Sequence, residues 1–228
     1  MQILTTEHWS LLASRSLAWN ESFARAGMFL STLSGAMVAL GLIAGVDRVG
    51  DVFFVFSLVI LPVVLFVGLA TWIRMGAANW HDATTVVGMN RIRGAYLELA
   101  PDLEPYFVMG VHDDRAGVEV TMALPPGMPS ILHIVAATPF VVLILNGVVG
   151  GVITGIIVFR ILGLEFLPVL AASTAVFVAV VVAQARIAAG NIRRGQRAFR
   201  PMFPTPGQRG MADTQTSPAS TGRNDSDR

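Results

Sequence analysis

The sequence predicts an all-α membrane protein, with four transmembrane helices in two hairpins and a small cytoplasmic α+β insert between them. Three observations carry this. Four long apolar stretches occupy residues 27–46, 52–73, 139–159 and 164–185; apart from Glu165 at the edge of the fourth, none contains Asp, Glu, Lys or Arg. Hydrophobic residues make up 54% of the 228 positions and charged ones only 14%, with a mean hydropathy of +0.63. All 16 basic residues are arginines, and 14 of them fall before the first stretch, between the second and third, or after the fourth. A helix rising about 1.5 Å per residue needs roughly 20 apolar residues to cross a hydrocarbon core of about 30 Å while satisfying its own backbone hydrogen bonds. The rival, a soluble helical core, would show a polar face on each helix.

The arginine asymmetry sets the orientation. Under the positive-inside rule both termini and the middle region are cytoplasmic and the two short hairpins face outward, which an even number of spans requires. The expected localisation is a bacterial plasma (inner) membrane, multi-pass.

In chain order, residues 1–26 read as an interfacial amphipathic helix that runs into the first span, with Thr6 a candidate cap and Trp9, Leu12, Trp19 and Phe23 on one face. They lack a secretory signal peptide's short apolar core and small-residue cleavage site. Trp9, Trp19, Trp72 and Trp80 read as headgroup-level anchors. Residues 27–73 form the first hairpin. The insert, 74–130, starts with a helix over residues 79–100 that Pro101 stops. Two strands, 106–111 and 118–123, are then expected around a turn of His112, Asp113, Asp114, Arg115, Ala116 and Gly117. Pro125, Pro126, Gly127 and Pro129 lead into the second hairpin, 131–185. Residues 186–200 form a basic juxtamembrane helix suited to anionic lipids. Residues 201–228, rich in Pro, Gly, Ser, Thr and Asp, have the composition of a disordered tail.

Candidate functional residues are few. Gly147, Gly151 and Gly155 recur every four residues in the third span as a glycine zipper, a groove where another backbone approaches closely. Small-residue stripes recur as Gly27, Ser31, Gly35 and Ala39 in the first span and as Ala171, Ala175, Ala179 and Ala183 in the fourth. Spacing leaves open whether they join helices within one chain or between chains of a homo-oligomer. Asn146, one residue before the zipper, is either an interhelical hydrogen-bonding amide or a pore-lining one.

Other chemistry is thinly represented. With no Cys there is neither disulfide nor thiolate site. His112, Asp113 and Asp114, and His81 with Asp82, are adjacent potential metal ligands, but they lack the spacing of a metal site. No phosphate loop, nucleophile elbow or dinucleotide fingerprint is present, so no catalytic residue, cofactor or metal is assigned, and no nucleic-acid partner is expected. Intramembrane ionisable residues of the kind coupled transporters use are missing.

The run from Met89 through Asn90, Arg91, Ile92, Arg93, Gly94, Ala95, Tyr96, Leu97, Glu98, Leu99 and Ala100 to Pro101, followed by Glu104, Pro105, Tyr106 and Phe107, resembles a segment of uncharacterised small four-span integral membrane proteins of high-GC bacteria. That resemblance implies the same paired spans around a cytoplasmic insert, up to about Arg200, and no activity. Two functional classes follow from the residues: a non-enzymatic scaffold, sensor or accessory subunit acting by helix association, or an oligomeric channel lined by Ser31, Ser34, Asn146 and Thr154.

Overall fold

In the computed structural model, which describes residues 2–47, 49–122 and 137–206, four helices are long and apolar enough to cross a membrane. They are α1 (Gln2–Asp47), α2 (Asp51–Leu99), α4 (Thr138–Arg160) and α5 (Phe166–Ala198). Between α2 and α4 come a 3-10 turn (Pro101–Tyr106) and a short helix α3 (Arg115–Thr121). Glu165 stays outside the apolar helix, in extended conformation at its start. Gly163 turns the chain between α4 and α5 with φ +63, a conformation a Cβ disfavours.

Neighbours follow the chain: α1 packs on α2, α2 on α4, and α4 on α5. The inner position of α4 shows in its burial, 44% of its most apolar window against none of that of α5. Phe29 and Ala36 of α1, Leu61 and Val64 of α2, and Val142 and Val149 of α4 form the apolar core. Pro62 lies inside α2 without ending it.

The helices do not stop where the apolar stretches stop. With 46 and 49 residues, α1 and α2 reach about 70 Å each, twice what a hydrocarbon core needs. Nothing between residues 25 and 28 or 72 and 75 breaks a helix, so residues 2–26 run on into the first apolar stretch, as expected, and pack antiparallel along α2. Polar pairs set the register of this extension. Arg74 Nη2 and Arg25 Nε both donate to Glu21 Oε1, at 2.6 and 2.9 Å. Arg15 Nε and Trp19 Nε1 converge on Asp82 Oδ1 at 2.6 and 3.1 Å. Ser14 meets His81 Nε2 at 2.8 Å, and Thr5 meets Tyr96 Oη at 3.1 Å. Hydrogen bonds from Arg74 and then Arg25 hold the Glu21 carboxyl below its ordinary pKa. At the opposite end of the spans, Arg160 pairs with Asp51 and covers the Phe54 ring at 5.3 Å, joining the two hairpins.

The insert departs from the expected α+β form: among the described residues there is no strand. Val118, Val120 and Met122 have the alternation of a strand, but Asp114 accepts the Gly117 N–H at 2.9 Å and so caps a helix. Gly110 lies against the Gly117 carbonyl and Gly117 against the His112 carbonyl, so the backbone doubles back on itself where a hairpin was expected. Residue 123 and the Pro-rich lead into the second hairpin lie outside the described residues.

Candidate functional site

Inside the spans, α2, α4 and α5 meet at one buried amide. Asn146 is fully buried on α4, and its Nδ2 donates to Gln184 Oε1 of α5 at 3.1 Å. Its Oδ1 leans on Gly68 of α2, beside the Phe29 ring, and finds no hydrogen-bond donor among the described residues. An amide pair in hydrocarbon couples helices because leaving either group unbonded costs more than the pair contributes. Gln184 and Gly68 carried no signal in the sequence beyond their type.

The zipper glycines sit in the α4–α5 contact. A Cβ at Gly147 would stand 2.8 Å from Val181 Cγ2, one at Gly151 2.9 Å from the Ser173 carbonyl oxygen, and one at Gly155 2.7 Å from Ser173 Oγ. The face they meet is therefore Val169, Ser173, Phe177 and Val181, on the side of α5 nearly opposite the alanine stripe. Gly151→Ile should lower thermal stability in detergent by about 2 kcal/mol or more, because its obstacle is backbone that cannot turn aside. An unchanged unfolding midpoint would remove the close α4–α5 approach.

Gly35 behaves differently. Nothing lies within 4 Å of the position a Cβ would take there, nor at Gly27, Gly41 or Gly45. Among the described residues Gly35 makes no such close contact. Ala171, Ala175, Ala179 and Ala183 are likewise exposed. The four candidate pore-lining residues do not share a surface: Asn146 is enclosed, Thr154 donates to its own helix at Gly150 O, and Ser31 and Ser34 face outward.

Beyond the spans, a second polar centre ties α2, the insert and the C-terminal segment together. Asn90, fully buried, donates from Nδ2 to His112 O at 2.8 Å and accepts from Thr121 Oγ1 at 2.7 Å and Arg93 Nη1 at 2.8 Å. Asp113, also fully buried, accepts Arg91 Nε and the backbone N–H groups of Met202 and Phe203, each at 2.8 Å. Asp114 accepts the Thr205 N–H at 2.7 Å and its hydroxyl at 2.9 Å. Burial alone would raise the Asp114 carboxyl, but bonds from Gly117 and Thr205 outweigh it and hold its pKa below the usual carboxylate value. Arg91 also covers the Phe199 ring at 5.5 Å, and the Phe203 ring lies over Gly94.

Both candidate metal pairs are thus engaged otherwise. Asp113 and Asp114 turn their oxygens to N–H and O–H donors, Asp82 to Arg15 and Trp19, and His81 to Ser14. Residues 201–206 are bound to the insert despite a composition that reads as disorder, while 207–228 lie outside the described residues. Of the tryptophans, Trp72 borders the core and Trp80 covers Gly195 of α5, whereas Trp9 stands about 27 Å along α1 from the first span.

No family model, curated protein or solved structure matches this chain.

Proposed function

We propose that the chain is a multi-pass protein of the bacterial plasma membrane with both termini cytoplasmic, and that it acts without catalysis, as a scaffold, sensor or accessory subunit that associates through its helices, including with a second copy. The observation that carries this reading is the outward face of α1. From Trp9 through Asn20, Phe23, Gly27, Ser31 and Ser34 to Gly45 it is exposed and free of charge, while Arg15, Glu21 and Arg25 turn to α2 or to one another. Two copies in one membrane point the same way, so a two-fold pair of α1 helices sets like residues opposite like, an arrangement that only an uncharged face allows without repulsion. Small residues in its span half permit close backbone approach.

The C-terminal part of α5 adds a lipid contact. Arg186, Arg193, Arg194 and Arg197 are exposed, with no ion pair among the described residues, and attract anionic headgroups at about 1 kcal/mol per charge near the surface.

The absence of cysteine makes the test direct. With Ser31→Cys in native membranes, mild oxidation should give a disulfide-linked dimer, whereas Val142→Cys, buried in the core, should stay monomeric. Cross-linking at Ala175→Cys but not at Ser31→Cys would move the interface to α5. Monomer at every outward position would end the self-association reading.

A further inference from the structure

Each of the other arginines in α1 to α4 is paired with a carboxylate; Arg93 is not. Its Nη1 donates to two neutral acceptors, Asn90 Oδ1 at 2.8 Å and Gly110 O at 3.4 Å. The Nε and Nη2 edge of the same half-buried guanidinium has no partner among the described residues. Beside it stands His8 of α1. The contacts of Thr5 with Tyr96 and of Leu11 with Gly88 bracket His8 on the α1 face that meets α2, level with Arg93, and its Nδ1 is buried with no hydrogen-bond partner among the described residues.

Burial first, and then the Arg15 cation, lower the pKa of Arg93; burial first, and then Arg93, lower that of His8. Among the described residues no carboxylate pairs with either group. A partly desolvated guanidinium held only by neutral oxygens is an expensive arrangement, and the free Nε–Nη2 edge has the two-point donor geometry that an oxyanion accepts.

We infer that the junction of α1 and α2 at His8 and Arg93 binds a small water-borne oxyanion of the phosphate class. Arg93 supplies the two-donor edge, Asn90 and Gly110 fix the plane of the guanidinium, and His8 closes the α1 side. A lipid headgroup is the other source of phosphate, but Arg93 lies 20 residues, about 30 Å of helix, beyond the second span. The ligand therefore comes from solution.

The test is thermal unfolding of the full chain in detergent, titrated with inorganic phosphate against chloride at matched ionic strength. Binding to the folded state raises the midpoint saturably. Arg93→Gln should weaken phosphate binding at least tenfold. Arg93→Lys, which keeps the charge and a donor for Asn90 but loses the two-point edge, should also weaken it and guards against simple misfolding of the first variant. Arg115→Gln, at an exposed pair with Glu119, should leave it unchanged. A chain ending at Pro206 should respond like the whole protein. A phosphate response no larger than that of chloride, or one that survives in Arg93→Gln, overturns the inference. So does a response seen only after truncation, because the site would then belong to the chain's own carboxylates among residues 207–228.

Discussion

Gly68→Ala should destabilise the whole bundle, and Gly68→Val should do so by about 3 kcal/mol or more. A Cβ at this position lands on Asn146 Oδ1 and 2.7 Å from Phe29 Cε2. Neither neighbour can yield, since Phe29 and Asn146 are both fully buried and Asn146 is fixed by Gln184. Overfilling such a site forces off-rotamer side chains or backbone shifts, typically at about 1–3 kcal/mol, and valine adds two methyl groups where one already collides. The effect should also be coupled: with Asn146→Ala in the background, Gly68→Ala should cost less, because the background change removes the nearer of the two obstacles and its unbonded oxygen together, leaving only the Phe29 ring. Thermal unfolding of the four variants in detergent measures this. Additive losses would mean that α2 and α4 do not meet at this pair.

The same junction shows what the sequence made legible and what it did not. The spans were readable because lipid removes the polar face that a soluble helix keeps; α4 begins and ends near the expected limits, and α5 begins near them and continues through the basic segment to Ala198. The continuity of α2 past residue 73 was not readable, since the change there is one of composition and not of backbone propensity. Four-residue spacing gave the face of Gly147, Gly151 and Gly155 but not the neighbour; Gly35 has the same spacing and points outward. Spacing along one helix says nothing about the next. The insert was misjudged because the alternation of residues 118–122 suits a strand or one helical turn, and the Asp114 cap decided between them. Asp113 and Met202 are 89 positions apart, in a segment whose prolines and polar residues suggest disorder. Contacts so distant in sequence leave no local periodicity, and the two backbone N–H groups that Asp113 accepts carry no residue type at all.

That contact supports the other large expected effect. Asp113→Ala should free residues 199–206 from the insert, at a cost of about 3 kcal/mol to their attachment. The substitution removes the charged acceptor of the Met202 and Phe203 N–H groups, each such bond contributing about 1.5–3 kcal/mol before screening by water, and removes the partner of Arg91. The ion-pair share is discounted, because the Arg91 side chain keeps 34% of its exposure and water screens it. Amide hydrogen exchange at Met202, Phe203 and Thr205 reports the release directly, and Glu119→Gln, at an exposed pair, should leave it unchanged. Acid should act on the same attachment through Asp114. Its pKa is lowered in the fold, so its contribution is complete above the ordinary carboxylate range and is lost as pH falls through the lowered value. Exchange at Thr205 should therefore rise only in strong acid in the wild-type chain. At neutral pH, Asp114→Asn keeps one acceptor oxygen but turns an amide N–H₂ toward the Thr205 donors, so exchange there should already be fast. Slow exchange at Thr205 in that variant would show that packing of Phe199 and Phe203, and not the two aspartates, holds the segment in place.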